Sequence, residues 1–110
     1  MNSHHNQSMT DLVGTIGKIA VEQKQLARQA EHLYSVEVDS VMRDKCRDPQ
    51  RIERLLDGIL DFCFDDEMLR LFKKLCRYYF KIDQEATVSY VHTYREMWDE
   101  EEDYKNGGEV

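Results

Sequence analysis

Chain-breaking residues are scarce in this 110-residue sequence, which contains one proline and five glycines. Two of the glycines, Gly107 and Gly108, lie near the end of the sequence, so the remainder holds very few residues that disfavour helices. Long regular helices are therefore permitted. The length is that of one ordinary domain, and a domain of this size is often helped by association.

Cysteine is also rare, and the three residues of this type, Cys46, Cys63 and Cys76, form no CxxC pair. An odd number of thiols without metal-type spacing is typical of a reduced protein. No segment approaches the roughly 18 apolar residues of a membrane-spanning helix, and residues 1–10 lack the apolar core of a signal peptide. The sequence predicts a cytoplasmic protein that does not bind membranes.

An excess of positive charge is missing as well, because the formal net charge is −7. This charge argues against general binding of nucleic acids or anionic membranes, both of which attract cations. The charge is uneven along the chain. Residues 43–82 contain ten basic and eight acidic side chains, whereas residues 83–103 contain one basic side chain and eight acidic ones.

Motifs that fix a reaction are absent from the sequence. It contains no phosphate-binding glycine loop, no HExxH, no GxSxG and no zinc-type spacing of Cys and His. His92 and Glu96 share a helix face at i, i+4, but two ligands are too few to hold a metal ion without help from elsewhere. We therefore expect no catalytic residue, no metal site and no cofactor.

One short motif points to an alternative. Residues Glu96-Met97-Trp98-Asp99 have the E-x-x-D form and resemble a motif of the all-α, MazG-like nucleotide pyrophosphohydrolases. In that family the motif joins an E-x-x-E on a preceding helix, and the carboxylates together hold Mg²⁺. The preceding helix here has no E-x-x-E, and the resemblance covers four residues. A small metal-dependent hydrolase is the third alternative for the function.

A regular apolar rhythm marks the first third of the chain. One row of residues steps by four and three in alternation: Leu12, Ile16, Ile19, Gln23, Leu26, Ala30 and Leu33. A second row steps by seven throughout: Val13, Ala20, Ala27, Tyr34 and Val41. Together the rows predict one amphipathic helix of about 30 residues that begins near Ser8 or Thr10. The alternating segment 35–39 is interpreted as part of this helix, since a lone strand would have no partner.

The first row has the spacing of a coiled-coil seam, and we predict that it is an oligomer seam. Gln23 interrupts the row, either as a residue that fixes register or as a side chain that reaches solvent from the edge of the seam. A helix longer than its neighbours leaves apolar surface that short helices cannot cover. A second copy of the chain would cover it, so a homo-oligomer, most simply a dimer, is expected.

Three aspartates mark the starts of the following helices. Asp48 precedes Pro49, Asp65 or Asp66 precedes an apolar run, and Asp83 precedes another. The predicted inward faces are Ile52, Leu55, Leu56, Ile59, Leu60 and Cys63 in the second helix, Met68, Leu69, Phe72, Leu75, Cys76 and Tyr79 in the third, and Val91, Tyr94 and Trp98 in the fourth. This pattern predicts an all-α, antiparallel bundle of about four helices with a long first helix. A flexible lead over residues 1–9, one helical domain over 10–103 and a disordered tail over 104–110 complete the expected organisation.

Basic residues follow one side of the predicted third helix. They are Arg70, Lys74, Arg77 and Lys81, with Lys73 beside them. This face is the best candidate for binding an anion or a nucleic acid, and its plainer interpretation is a solvated surface. The acidic residues that follow would compete with phosphate for the same cations.

The function expected from the sequence is a small protein–protein interaction or regulatory module that self-associates, has an unidentified protein partner and has no catalytic activity. A nucleic-acid-associated regulator that uses the basic face is the second alternative.

Overall fold

The protein is described by a computed structural model, which defines the backbone of residues 2–99 and the side chains of residues 11–99. Over this range the chain forms four α-helices and no strand: α1 (Asn2–Arg43), α2 (Pro49–Leu60), α3 (Asp66–Phe80) and α4 (Gln84–Trp98). The predicted all-α bundle with a long first helix is confirmed. Residues 100–110, which include the predicted tail over 104–110, lie outside the described range.

Helix α1 begins at Asn2, ahead of the predicted start near Ser8 or Thr10, so its backbone includes residues 2–9 of the expected lead. The alternating segment 35–39 is helical, as expected. The helix ends at Arg43. Two residues later, Lys45 has a left-handed φ of 53°, a common conformation just beyond a helix end. There the Cys46 N–H donates to the carbonyl of Val41 at 2.9 Å.

The other three helices begin where the aspartates predicted. Asp48 accepts a hydrogen bond from the Gln50 N–H at 3.1 Å. Asp65, rather than Asp66, caps α3 and accepts from the Met68 N–H at 3.0 Å. Asp83 accepts from the Ala86 N–H at 2.9 Å. In each case the carboxylate satisfies a backbone donor that the first helical turn leaves without a partner, which fixes the helix start.

Helix α3 lies at the centre of the bundle and contacts α1, α2 and α4. The predicted inward face of α2 is fully buried, and so is that of α3 except for the half-buried Leu69. The fully buried side chains of large volume are Val38, Val41, Ile52, Leu56, Ile59, Met68, Leu75 and Tyr79. The apolar core is therefore built by α2, α3 and the second half of α1.

The prediction for the inward face of α4 is wrong in part. Val91 and Trp98 are 39% and 38% exposed, and Thr87 is the residue of α4 that is buried. The Thr87 hydroxyl is satisfied because it donates to the carbonyl of Asp83 at 2.8 Å. Trp98 still anchors the helix end, since its Nε1 donates to the Leu60 carbonyl at 2.8 Å. Helix α4 packs at the edge of the bundle, so part of its apolar stripe stays open.

The second half of α1 is held against the bundle by close packing and by two ion pairs. Tyr34 lies over Gly58 of α2, where an added Cβ would be 2.7 Å from the Tyr34 Cζ atom. Arg28 pairs with Asp65, and the Lys74 ammonium lies 3.1 Å from an Asp39 carboxylate oxygen. A 42-residue helix is about 63 Å long. The longest dimension of the described structure is 64 Å, so α1 spans it from end to end.

Candidate interaction surfaces

The first half of α1 has no neighbour among the described residues, and every side chain from Asp11 to Leu26 is exposed. The predicted oligomer seam lies mainly on this surface. Leu12, Ile16, Ile19, Leu26 and Leu33 are 48–67% exposed, and Gln23 is exposed too. Only Ala30 of that row is buried, at 9%. We call Leu12, Ile16, Ile19 and Leu26 the α1 stripe.

The second row explains how α1 meets the bundle. Ala27 and Val41 are 0% exposed, and Tyr34 between them is half-buried over Gly58. Towards the N-terminus the same row continues through Ala20 and Val13, where nothing in the described structure covers it. One apolar face therefore runs along the whole helix, and the bundle covers only its second half.

Charge along the first half of α1 is balanced. Between residues 11 and 26 the chain carries Asp11, Lys18, Glu22 and Lys24, two acids and two bases. The rest of the molecule is acidic, since the net charge of the whole chain is −7. A neutral surface of this kind does not repel a second copy of itself.

The cations of the predicted basic face differ in their ion pairs. Arg70 lies 3.1 Å from the carboxylate of Glu67 on its own helix, and Lys74 pairs with Asp39 of α1. Lys73, Arg77 and Lys81 form no ion pair with any residue of the described range. These three cations also line the surface between α3 and α4. All five basic residues are exposed, and two of them are already paired with carboxylates.

A long groove lies between α3 and α4. It consists of two adjoining cavities of about 410 Å³ each, which share Cys76, Arg77 and Val91. Leu69, Phe72 and Phe80 add to the apolar lining, while Lys73, Arg95 and Lys81 supply charge. We call it the α3–α4 groove. Sequence reasoning placed Lys73, Arg77 and Lys81 on the basic face of α3, but spacing along one helix did not show that α4 lies beside them.

A polar cluster joins α2, α3 and α4 on another side of the bundle. The Tyr79 hydroxyl donates to the Glu53 carboxylate, and the Tyr90 hydroxyl donates to Asp57 Oδ1 at 2.7 Å. Burial, and then these hydrogen bonds, raise the pKa of both phenols well above the ordinary value of 10.0. Both phenols therefore stay neutral and donate to carboxylates.

This polar cluster was missed at the level of sequence. The inward position of Tyr79 was predicted, and a buried phenol needs an acceptor. Spacing along the chain did not identify Glu53 as that acceptor, because it lies on a different helix. The cluster borders an open cavity of about 350 Å³, but its carboxylates are occupied by the phenols. It acts as a cross-link between three helices.

Metal-binding side chains do not converge in the part of the chain with defined side chains. Among residues 11–99 no three His, Cys, Asp or Glu side chains lie where they could share an ion. His92 and Glu96 are exposed on α4, and Asp99 is at its end. The E-x-x-D motif of residues 96–99 thus gains no third ligand from the described residues of another helix.

The thiols differ in their surroundings. Burial raises the pKa of Cys63 to about 12, with smaller contributions from Cys76 and Asp61. Burial likewise raises the pKa of Cys76 to about 12. Both side chains are therefore protonated and unreactive at neutral pH. Cys46 is half-buried, and its carbonyl accepts a hydrogen bond from the Tyr78 hydroxyl at 2.6 Å.

None of the helices, over the residues described, is both long enough and apolar enough to cross a membrane. Comparisons of the chain with models of protein families, with curated proteins and with solved structures found no match.

Proposed function

We propose that this protein is a non-enzymatic interaction module that self-associates through the first half of α1. The observation that carries the proposal is the α1 stripe, a row of large aliphatic side chains about half exposed or more on a helix that extends beyond its own bundle. Contiguous exposed apolar surface of this kind marks protein interaction sites. Fully burying one such side chain is worth about 1.5–3 kcal/mol.

A second copy of the chain is the occupant that fits this surface best. The stripe repeats with the alternation of four and three that lets two helices interlock side chains along a seam. The same patch on two copies would form a symmetric interface, the commonest kind in homodimers. Small Ala20 beside the stripe permits close approach, and the balanced charge of residues 11–26 adds no repulsion.

The first prediction tests this seam with a matched pair of substitutions. Leu26→Asp places a charge in the stripe, whereas Val21→Asp places the same charge on the opposite side of the helix at nearly equal exposure, 55% against 54%. Sedimentation equilibrium should show that Leu26→Asp weakens self-association by on the order of 100-fold, or about 3 kcal/mol, because the charge would be buried unpaired. Val21→Asp should leave it unchanged.

Circular dichroism is the control for folding, since both sites are exposed and both variants should keep the native helix content. A monomer for the native protein at about 100 μM, where even a weak dimer of Kd near 1 μM is almost fully formed, would contradict the proposal. An equal effect of the two substitutions would also contradict it, because the stripe would then have no special role.

A further inference from the structure

The α3–α4 groove is a long trough with an apolar floor. Its lining includes Phe72 and Cys76 of α3 and Val91 of α4. Val91 is 39% exposed, so an aliphatic side chain of α4 stays open to solvent there. The two adjoining cavities extend along α3 from Leu69 to Lys81, about 18 Å of helix. The groove is therefore long enough for about three turns of another helix.

The α3 edge of the groove carries three exposed cations, Lys73, Arg77 and Lys81, at intervals of four residues. Successive cations are about 6 Å apart along the helix axis. None of them forms an ion pair among the described residues, whereas Arg70 and Lys74 on the same helix are paired with carboxylates. The edge of the groove therefore holds positive charge that the described structure leaves uncompensated.

The α4 side of the groove adds little net charge. It contributes Arg95 and Asp99, one side chain of each sign. The surplus charge along the groove is therefore positive and comes from α3. This makes the groove complementary to an anionic occupant, although the chain as a whole has a net charge of −7.

The cation spacing and the apolar floor together favour one kind of anionic occupant. A lone carboxylate head group would meet one cation and leave the other two unmatched. A nucleic acid carries a phosphate on every unit, and its backbone gains nothing from an aliphatic floor. A helix with acids at every fourth position advances by the same step of about 6 Å, so its acids meet all three cations while an adjacent apolar face covers the floor.

We propose that the α3–α4 groove binds an acidic amphipathic helix of a partner protein. Acids spaced by four residues on that helix pair with Lys73, Arg77 and Lys81, and its aliphatic side chains pack on Val91 and the rest of the floor. Laying the apolar face of a helix into a groove is a common mode of recognition. The proposal goes beyond self-association, because it adds a second partner on a surface separate from the α1 stripe.

The two parts of the groove have different roles in this binding. Exposed ion pairs are individually weak and are screened by salt, so the cations mainly speed association and select an acidic partner. The apolar floor removes aliphatic surface from water and supplies the larger part of the affinity. Binding should therefore weaken with salt without being abolished by it.

The probe is a fluorescein-labelled peptide of about 16 residues, about 24 Å long as a helix, with Glu at every fourth position beside a leucine face and Ala elsewhere. With the 110-residue chain, fluorescence anisotropy should give a Kd on the order of 10 μM in dilute salt. Amide NMR should place the largest shifts at Cys76, Arg77 and Val91. The same peptide with Gln for every Glu should bind about 10-fold more weakly.

Charge reversal tests the cationic edge. Arg77→Glu with Lys81→Glu should weaken binding of the acidic peptide by on the order of 100-fold. Arg47→Glu with Arg54→Glu makes the same change in net charge at exposed sites outside the groove and should change the Kd by less than about 2-fold. A peptide with Lys for every Glu should bind the Arg77→Glu, Lys81→Glu variant more tightly than the native chain, which a merely structural role of the two cations would not produce.

A pair of valine substitutions tests the floor. Val91→Ser should weaken binding by about 5-fold, because it removes aliphatic surface from the contact. Val36→Ser, at a 55% exposed site on α1, is the matched control and should leave binding unchanged. Leu26→Asp, which is directed at the proposed α1 seam, should also bind the peptide as the native chain does, so the two proposals can fail separately.

Four results would overturn the proposal. One is the absence of groove shifts at about 1 mM peptide. Another is equal binding of the neutral peptide, of dodecanoate or of a single-stranded oligonucleotide, because the spacing of acids would then not be what the groove recognises. Groove amides that change on dilution without peptide would assign the groove to a second copy. Binding that appears only after Glu100→Gln, Glu101→Gln and Glu102→Gln would assign it to the chain's own acids.

Discussion

The two halves of α1 have similar apolar patterns and opposite surroundings. In the second half, Ala27, Val38 and Val41 are 0% exposed against α2 and α3. In the first half, Leu12, Ile16 and the rest of the α1 stripe lie at about 50–60% exposure. The amphipathic pattern does not change at the boundary. What changes is the presence of neighbouring helices, so the pattern specifies that a partner is needed without specifying which one.

The largest expected effect comes from making the same truncation in both regions. Leu56 is 0% exposed in the bundle, so Leu56→Ala should lower the free energy of unfolding by about 3 kcal/mol through lost burial and a cavity. Leu26→Ala, at an exposed site, should change the free energy of unfolding of the monomer by less than about 0.5 kcal/mol.

Urea denaturation at a concentration low enough to keep the protein monomeric measures both values. Equal losses for the two variants would mean that Leu26 is already packed within the monomer, and the contrast between the halves of α1 would fail.

Much of this contrast could be read from the sequence. The aspartate caps, the apolar faces of α2 and α3 and the presence of a long first helix followed from local chemistry and from helical periodicity. The length of α1 did not, since about 30 residues were predicted and the helix has 42. The point along α1 at which burial begins did not follow, because Ala20 and Ala27 belong to the same seven-residue row and differ only in their neighbours. The pairing of Lys74 did not follow either, since its partner Asp39 lies on another helix.

Glycine-to-alanine substitutions sharpen the comparison. The change in stability should have opposite signs at Gly58, over which Tyr34 packs, and at the exposed Gly14. Gly58→Ala should destabilise the protein by about 1–2 kcal/mol, since the new Cβ would lie 2.7 Å from the Tyr34 ring. Gly14→Ala has nothing within 4 Å of its Cβ and should stabilise α1 locally by about 1 kcal/mol.

Thermal unfolding measures the first effect, and amide hydrogen exchange near residue 14 measures the second. In the double variant Gly58→Ala with Tyr34→Ala, the clash should be relieved. If Gly58→Ala stabilised the protein instead, α1 would not cross α2 as closely as the structure has it.

Alkaline pH should act on the bundle and spare the first half of α1. The pKa of the Cys63 and Cys76 thiols is raised from 9.0 to about 12 in the folded protein, so these thiols ionise more readily when unfolded. A raised pKa stabilises the folded state below the unfolded-state value, and that stability is lost as pH rises towards 12. The loss should reach roughly 0.4 kcal/mol for each thiol at pH 9.

Denaturation series from pH 7 to pH 10 check this expectation. The Cys76→Ala variant should show a shallower fall with pH than the native protein. A fall of equal steepness in both would assign the alkaline sensitivity to other groups.

The smallest expected effect concerns DNA. With Arg70 and Lys74 already paired, the free cations on α3 supply few phosphate contacts, and binding through them should weaken with salt by a logarithmic slope of about −0.9 for each contact. Fluorescence anisotropy with mixed duplexes near 150 mM salt should detect no binding. Sub-micromolar binding that is lost in Lys73→Glu with Arg77→Glu would favour the nucleic-acid-associated regulator instead.

The attachment of α1 has a mechanical consequence. A helix about 63 Å long that is fixed along one half is a lever, and a sideways force at its free end becomes a torque at the fixed part. Among the described residues, Arg28–Asp65 is the ion pair nearest the free half, and half of the Arg28 side chain is exposed. It would bear the load first and yield first, so a partner that pulls on the tip of α1 would loosen the start of α3 before disturbing the core.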